Sequence, residues 1–300
     1  MAMIELRTLQ YFVVVAEELN FGRAANRLQM AQPPLSRQIQ RLERELGVEL
    51  FQRLNRRIQL TLAGRVLFQE AQLILAQVET AIVTTQRAGR GETGQFTIGF
   101  EGSFSYDVMP RAVKAFQDQY PEVELAVQEI TTGQQEQALL EKQIDLGFIV
   151  PPLADPALSV ETVLREKLVL VVPATHPLAS QAEVSITDLD GTPFITGPRE
   201  KGCGLYIQIL QSFAEAGVHP QMVQSTREIQ MLLGFVAAGL GVSLLPAVNQ
   251  FFQRPGIVYR SLQSPIPEIE LAIAWRSDNP SPILRHFLAI VRSLTASNRD

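Results

Sequence analysis

One segment constrains the fold more than any other: an amphipathic helix from Pro33 to Leu46. Prolines fit the first turn of a helix, where their missing N–H groups cost nothing, and Gly47 suits the left-handed residue that ends a helix. At 100° per residue, one narrow stripe is apolar: Leu35, Ile39, Leu42 and Leu46. The opposite side is polar or basic, without an acid: Ser36, Arg37, Gln40, Arg41 and Arg44. We therefore expect the helix to pack with one side and to offer a cationic side.

The segments around this helix predict a small domain. Apolar spacing indicates helices over about 7–18 and 22–29, and the paired Ala24 and Ala25 allow close helix approach. Two short strand-like runs follow over 48–60, around a basic tip at Asn55-Arg56-Arg57. Three helices and a basic hairpin predict a winged helix-turn-helix domain over residues 1–61.

Charge is distributed unevenly along the chain. The whole chain has a net charge of −5, yet residues 20–65 contain nine arginines and three glutamates, a local net charge of +6. Exposed charges act over only about 8 Å at physiological salt, so this patch attracts a polyanion whatever the sign of the whole. A merely solvated helix face is the alternative, although such a face usually includes glutamate.

The same segment carries a dense family pattern. Over residues 4–64 the chain resembles the LysR-type transcriptional regulators, through Leu9-Gln-Tyr-Phe, Phe21-Gly-Arg-Ala-Ala, Ala31-Gln-Pro-Pro-Leu-Ser-Arg-Gln-Ile and Leu46-Gly-Val-Glu-Leu-Phe. The resemblance implies that the Gln32–Glu45 helix enters the major groove of DNA and that Arg56 approaches the minor groove. The DNA-binding candidates are Arg23, Gln32, Pro33, Pro34, Ser36, Arg37, Gln40, Arg41, Arg53, Arg56 and Arg57. Helix capping remains an alternative role for Gln32 and Ser36.

A long helix is predicted after the hairpin. From Thr61, a candidate N-cap, to about Arg87 the only helix-breaking residue is Gly64 in the first turn. Its apolar stripe has 4-3-4-3 spacing: Leu67, Ala71, Ile74, Val78 and Ala81. This spacing is typical of pairing between two helices, and LysR-type regulators pair through such a linker. We expect residues 62–90 to be a dimerisation linker and hinge, with packing inside its own domain as the alternative.

Signatures of catalysis and of cofactors are weak. Gly89 to Gly94 spells G-x-G-x-x-G, but a helix precedes it and a strand follows, the reverse of a dinucleotide site. Cys203 stands alone and the three histidines are far apart in sequence, so we expect no disulfide and no metal. The sequence also lacks G-x-S-x-G, a Walker A loop and H-E-x-x-H. We therefore expect neither a cofactor nor enzymatic activity.

Beyond residue 90, strands and helices alternate. Strands near 96–100, 123–129 and 145–150 enclose two helices, and a second set begins with the apolar strand 168–172. This order predicts two Rossmann-like α/β lobes with mostly parallel strands. Segments such as Ile144-Asp-Leu-Gly and His176-Pro-Leu also resemble the LysR effector domain, whose fold is of the periplasmic-binding-protein type. By that fold, lobe I is 91–165 with 268–300, and lobe II is 166–267.

Ligands of open α/β sheets bind beyond the carboxyl ends of the strands, near helix N-termini. The hydroxyls of Ser103 and Thr132 lie in such loops and align with effector-contacting residues of LysR-type regulators of aromatic catabolism. The effector-binding candidates are Gly102, Ser103, Thr132, Cys203, Gly204 and Leu205. Simple N-capping is the alternative for the hydroxyls, and a redox role is the alternative for Cys203.

The sequence thus predicts a LysR-type regulator controlled by a small carboxylate between two lobes. Val150-Pro-Pro-Leu and Arg227-Glu-Ile-Gln are similar to segments of regulators of muconate or benzoate breakdown and of acetoin synthesis. Expected partners are double-stranded promoter DNA, the effector, further copies in a homodimer or homotetramer, and RNA polymerase. No uninterrupted apolar run approaches the roughly 18 residues that cross a bilayer, so a cytoplasmic protein is expected. The competing hypothesis is a cytoplasmic α/β enzyme or solute-binding protein with an N-terminal oligomerisation domain.

Overall fold

The computed structural model describes residues 4–54, 57–102, 106–197 and 203–296. Contacts divide the chain into two units, residues 1–87 and 88–300, which are described separately. The division falls near the end of the segment predicted as a linker, 62–90. The predicted boundary after residue 61 has no counterpart in this division, since the long helix begins within the first unit.

The first unit is built from helices and one hairpin. Its elements are α1 Leu6–Glu18, α2 Phe21–Arg27, α3 Gln32–Leu46, β1 Phe51–Leu54, β2 Arg57–Leu60 and α4 Leu62–Gly89. β1 and β2 pair antiparallel, with Arg53 opposite Ile58 and Leu54 opposite Arg57. This arrangement confirms the predicted winged helix-turn-helix followed by a long helix.

Local signals set the ends of these helices. Asn20 caps α2 by accepting hydrogen bonds from the N–H groups of Gly22 and Arg23. Gly47 ends α3 with φ 70°, a left-handed conformation that glycine adopts without steric cost. The Thr61 hydroxyl accepts the N–H of Gly64 at 2.9 Å, which confirms Thr61 as the cap of α4. The boundaries predicted from sequence therefore follow from residue chemistry within the segment itself.

The core of the first unit lies between α1, α2, α3 and the start of α4. Phe12, Leu35 and Leu42 have no exposed surface, and Ala24 allows α2 to approach the other helices closely. The rings of Phe12 and Phe51 lie 5.5 Å apart, which fixes the hairpin against α1. The apolar stripe of α3 is thus buried as its periodicity predicts.

The long helix α4 is buried only in part. Ala71 belongs to the core of the first unit, while Leu73, Ile82 and Val83 each expose more than half of their surface. By length and composition α4 is apolar enough to cross a membrane, with a mean hydropathy of 1.3 over 18 residues. This property is not evident as an uninterrupted apolar run, because single polar residues interrupt the apolar ones in α4. Its first turns pack into a folded domain, as in a helix of a globular protein.

The second unit alternates strands and helices. Its elements are β3 Gly94–Phe100, α5 Val108–Gln119, β4 Val123–Glu129, α6 Thr132–Leu140, β5 Leu146–Ile149, β6 Leu158–Pro173, β7 Glu183–Val184, β8 Pro193–Thr196, α7 Gly204–Ala216, β9 Gln221–Ser225, α8 Ile229–Ala237, β10 Ser243–Pro246, β11 Ile257–Leu262, β12 Glu268–Arg276 and α9 Pro282–Ala296. Short 3₁₀ turns cover 177–180, 186–189 and 247–251.

Eight of these strands form one mixed sheet that passes through both lobes. Its order is β4-β3-β5-β12-β6-β11-β7, and β10 also pairs with β6. β3 is parallel to β4 and β5, as predicted, but β12 is antiparallel to both β5 and β6, and β10 and β11 are antiparallel to β6. The expectation of mostly parallel strands is therefore wrong for this sheet. The parallel pair β8 and β9 completes lobe II. These features confirm a two-lobed α/β unit after an all-α winged domain.

The crossing between lobes takes place inside a continuous strand. In β6, Lys167 still pairs with β12 of lobe I, and Leu168 already pairs with β10 of lobe II. The sequence argument placed the crossing near 165 but started the strand at 168, so it missed the first ten residues of β6. That part is partly exposed and contains four charged residues, so it does not form an apolar run. Its pairing with β12 joins residues about one hundred positions apart, so the neighbouring sequence does not indicate a strand.

The chain returns to lobe I at its end, as expected. α9 packs against α5, and its Phe287 lies among the rings of Phe96, Phe116 and Phe148 at centroid distances of 5.4 to 6.5 Å. All four rings are essentially without exposed surface. This aromatic cluster fixes the helices of lobe I against its sheet and so holds in place the strand ends that form the cleft described below.

Candidate functional site

The polar side of α3 is the first candidate site. We call Ser36, Arg37, Gln40, Arg41 and Arg44 the basic face. All of them except the partly buried Ser36 are exposed, as are Gln32 and Pro33 at the start of the helix. The side chain of Arg37 has no hydrogen bond or ion pair within the described part of the chain. It is therefore available to an anion.

Other arginines of the first unit already have carboxylate partners. Arg41 Nε lies 2.8 Å from Glu45, one turn along α3, and Arg23 Nε lies 3.2 Å from Glu18. The hydrogen bond and charge of Glu45 raise the pKa of Arg41. Both pairs are exposed, so exchange of Glu45 or Glu18 for a phosphate costs little.

The hairpin is fixed to α3 by Glu43, a residue beside the basic face that was not among the predicted site residues. Glu43 Oε1 accepts the N–H groups of Leu50 at 2.8 Å and Phe51 at 3.2 Å. The carboxylate thus satisfies two backbone donors at the start of β1 and sets the hairpin beside α3. Its signal in the sequence is weak, because Glu43 is one of two acids, with Glu45, beside the basic face.

The hairpin arginines that were predicted to contact DNA differ in their positions. Arg53 and Arg57 are both exposed. Because Arg53 pairs with Ile58, the register puts Arg53 and Arg57 on opposite faces of the hairpin. Arg56, the predicted minor-groove residue, lies outside the described residues.

The predicted dimerisation stripe divides into two parts. Ala71 is buried in the core of the first unit and Leu67 is partly buried against it, so both already have packing partners within their own unit. Ile74 is 42% exposed, Val78 is half-buried and Ala81 is exposed. These three remain candidates for pairing, and exposed apolar residues beside them, such as Leu73 and Ile82, extend the same surface.

A cleft between the lobes of the second unit is the second candidate site. It encloses a cavity of about 250 Å³ at the ends of β3, β4 and β10 and beside the start of α7 and α8. Ile130, Leu205, Ile209, Leu232 and Leu244 provide an apolar lining. A cavity of this size is suited to a small molecule.

One carboxylate occupies the helix N-termini at this cleft. Glu101 is only 7% exposed and lines the cavity. Its Oε2 accepts the N–H of Thr132 at 2.5 Å and that of Gly204 at 3.4 Å, and its Oε1 accepts the N–H of Leu205 at 3.4 Å. Oε1 also accepts the Cys203 thiol at 3.1 Å. Glu101 of lobe I is thus bonded to the first turns of both α6 and α7.

Only some of the predicted effector residues face the cavity. Gly102, Cys203 and Leu205 line it, whereas Thr132 and Gly204 are buried behind it. The Thr132 hydroxyl accepts the N–H of Val150 at 3.0 Å, so it is already engaged in holding β5. The cap of α6 is Thr131, in a capping box with Gln134. Ser103 lies outside the described residues.

The Cys203 thiol is held in its protonated form. Burial, followed by the charge of Glu101, raises the pKa of Cys203 to about 12. A reactive cysteine needs a lowered pKa and a cationic neighbourhood, and this residue has the opposite environment. The alternative of a redox or nucleophilic cysteine is therefore not favoured.

Sequence reasoning missed several polar residues of the cleft. Glu129, Arg227 and Glu228 line it together with Tyr106. Partial burial, and then the charges of Glu129 and Glu228, raise the pKa of the Tyr106 phenol, so the phenol stays protonated. Glu129 and Arg227 lie at the ends of β4 and β9, where strand order alone could have placed them in the cleft.

Comparisons with known proteins match both units of the chain. Residues 6–65 match the family model "Bacterial regulatory helix-turn-helix protein, lysR family", and residues 89–296 match "LysR substrate binding domain". The chain is 40% identical to the HTH-type transcriptional regulator AlsR of Bacillus subtilis over 287 residues, which are 96% of this chain and 95% of the relative.

The solved structures that are similar to this chain include two that were determined with a bound partner. The full-length regulator CbnR in complex with its target DNA has a TM-score of 0.84 at 27% identity and covers 97% of this chain and 99% of its own. The BenM effector binding domain with its effector benzoate has a TM-score of 0.63 at 29% identity, over 68% of this chain and 93% of its own.

A winged helix-turn-helix joined by a long helix to a two-lobed binding unit defines a ligand-responsive transcriptional regulator. More particularly, the chain belongs to the LysR family of transcriptional regulators. It is a DNA-binding regulator with an effector-binding domain, and an enzymatic role is not favoured.

Proposed function

We propose that the chain regulates transcription by reading promoter DNA with the basic face of α3. The exposed guanidinium of Arg37, which has no partner among the described residues, carries this proposal, because it lies near the α3 N-terminus on a face without acids. Guanidinium groups bind phosphates and guanine edges in the major groove. The DNA complex of CbnR supports the use of this domain for DNA.

The exposed apolar surface of α4 supports the pairing of two subunits. Its exposed apolar residues, including Ile74 and Ile82, are costly to leave in water along a helix of 28 residues. A second copy would cover them and place two winged domains for a palindromic site. We place this assembly in the cytoplasm, where promoter DNA is found. Contact with RNA polymerase remains a prediction.

The second unit would make this regulation depend on a small molecule bound in its cleft. A small molecule in the cleft would contact both lobes and so favour one arrangement of them over another, which is the requirement for coupling. The benzoate complex of the BenM effector domain supports this use of the cleft.

The test compares Arg37→Ala with the intact chain in fluorescence anisotropy on DNA from upstream of its own gene, over a salt series. The intact chain should lose affinity with salt at a slope of about −0.9 for each phosphate neutralised. If Arg37 binds a phosphate, Arg37→Ala should weaken binding and flatten the slope by about one unit. A weaker variant with an unchanged slope would assign Arg37 to a base edge.

Lys114→Ala is the matched control. Lys114 is an exposed helical cation of the second unit, paired with Asp118 at 2.6 Å. Its removal changes net charge equally but should leave DNA affinity unchanged. Salt-sensitive binding that Arg37→Ala and Lys114→Ala reduce equally would contradict a specific role of α3. Absence of salt-sensitive binding to any DNA would contradict the proposed function itself.

A further inference from the structure

The carboxylate of Glu101 already lies in the cleft, and it restricts which chemical groups of a ligand can bind there. Two helix N-termini and one thiol converge on Glu101, through the N–H groups of Thr132, Gly204 and Leu205 and the Cys203 Sγ. Helix N-termini of α/β proteins bind anions, and convergent N–H donors of this kind form a carboxylate cradle. We use "cradle" below for these three N–H groups and the thiol.

Glu101 reaches the cradle from the end of β3 as part of the folded chain. It is nine-tenths buried, and its bonds link α6 of lobe I to α7 of lobe II. A tethered group needs no loss of translational freedom to bind, so it competes at a high effective concentration with any free carboxylate. A small carboxylate would have to displace Glu101 before it could use the same donors.

The remaining lining makes that displacement still less favourable. Among the described lining residues the charged groups are Glu101, Glu129, Glu228 and Arg227, an excess of carboxylates. Two carboxylates that share a site disfavour ionisation of each other. A ligand group that donates hydrogen bonds or carries positive charge is instead attracted to these carboxylates, because the oxygens of an ionised carboxylate can only accept hydrogen bonds.

We propose that Glu101 is an internal carboxylate ligand of this cleft, so that the effector of this chain carries a hydrogen-bond-donating ammonium or hydroxyl group and not a carboxylate at this point. The proposal rests on the proposed function of the cleft and revises the expectation of a carboxylate effector. Glu101 then has two roles: it joins the lobes and it selects against anions.

Glu101→Ala tests this proposal, with acetate as the probe. Removal of the side chain leaves the cradle donors without an acceptor, and acetate restores a carboxylate there. Calorimetry should show acetate binding to Glu101→Ala at least about tenfold more tightly than to the intact chain, since hydrogen bonds to charged groups are the strong ones. Thermal unfolding in acetate against chloride at equal ionic strength should show the same preference.

Glu129→Ala is the matched control, because it removes a carboxylate from the same cavity lining and leaves Glu101 in place. It should gain no acetate affinity. An equal gain in Glu129→Ala and Glu101→Ala would overturn the proposal, since net charge alone would then explain the effect. Equal acetate affinity of Glu101→Ala and the intact chain would overturn it as well.

A second measurement needs no variant and so does not depend on folding of Glu101→Ala. The intact chain is titrated with benzylamine, benzyl alcohol and benzoate, which share one ring and differ in the polar group. The amine or the alcohol should bind more tightly than benzoate, and the better of the two identifies the donor. Failure of both to exceed benzoate would overturn the assigned ligand class. DNA binding measured on the same protein separates this result from failure of the proposed function.

Discussion

At the residue scale, the environment of Cys203 links the ionisation of its thiol to the stability of the folded state. Its thiol is 4% exposed and donates to Glu101, and its pKa is raised from about 9 to about 12 by burial and by that carboxylate. The folded state therefore disfavours the thiolate more than the unfolded state does. Stability from this group is complete below pH 9 and is lost as the pH rises from 9 toward 12.

We expect Cys203→Ser to remove this pH dependence, because serine does not titrate in this range. Urea unfolding at several pH values above 9 should show the intact chain losing more stability than Cys203→Ser, by at most about 1.4 kcal/mol per pH unit. At pH 8 the folded thiol should also react far more slowly with a thiol reagent than the unfolded thiol. Rapid labelling of the folded protein would contradict the described burial.

The role of Glu101 as an acceptor within the cleft was not predicted from the sequence. Helix N-termini at the strand ends were expected to bind a carboxylate, and the structure has a carboxylate on those of α6 and α7, but it belongs to the chain. Sequence reasoning considered hydroxyls as donors and did not consider that an acid one position before Gly102 could act as the acceptor. The distance between Glu101 and Cys203 along the chain leaves no local signal of their contact.

At the element scale, α4 differs from a helix buried in one domain. Its first turns complete the core of the first unit, and its later turns leave Ile74, Ile82 and Val83 exposed. A helix of 28 residues is about 42 Å long at 1.5 Å per residue, enough to carry several turns beyond the domain it starts from. Burial of these later turns thus calls for another surface.

We expect Val78→Glu to weaken self-association, because a charge in the apolar surface of two paired helices is not compensated there. Thr80→Glu is the control: Thr80 is exposed, lies two residues along and so faces the opposite side, and has a hydroxyl bonded only to the Ala76 carbonyl in the described chain. Sedimentation velocity should show dissociation for Val78→Glu alone. Equal sedimentation of both variants and the intact chain would count against pairing through this face.

Elements whose ends depend on local chemistry were predicted well. α3 begins at its prolines and ends at Gly47, and its stripe of Leu35, Ile39 and Leu42 is buried as its spacing requires. The first half of β6 and all of β11 were missed, because they are strands only through partners distant in sequence. Sequence patterns report the periodicity of one segment, whereas a strand with mixed residues is defined by its neighbours.

At the scale of the whole second unit, close contact between the lobes depends on a missing side chain. A Cβ on Gly204 would lie 2.0 Å from the Val150 carbonyl oxygen, so α7 of lobe II touches the end of β5 of lobe I directly. Gln208 of α7 adds a hydrogen bond to the Pro151 carbonyl at 2.8 Å. This contact lies next to Glu101, so lobe contact and the cradle share the same residues.

We expect Gly204→Ala to destabilise the second unit, since the added methyl group requires the lobes or α7 to shift. A cost of about 1–3 kcal/mol for overpacking corresponds to a fall in Tm of several degrees. Gly234→Ala in α8 is the control, because its Cβ would meet only Arg254 at ordinary distances of 3.6 Å or more. It should leave stability unchanged or raise it, as alanine favours helix. Equal Tm values would show that the lobes do not need this contact.

The continuity of β6 limits how the second unit can respond to a ligand. A strand of 16 residues passes through both lobes, tied to β12 in one and to β10 and β11 in the other. Large hinge motions need a few free backbone residues to absorb changes in φ and ψ, and this strand has none to spare at the crossing. The paired, continuous backbone of β6 therefore favours small changes in the angle between the two lobes over large ones.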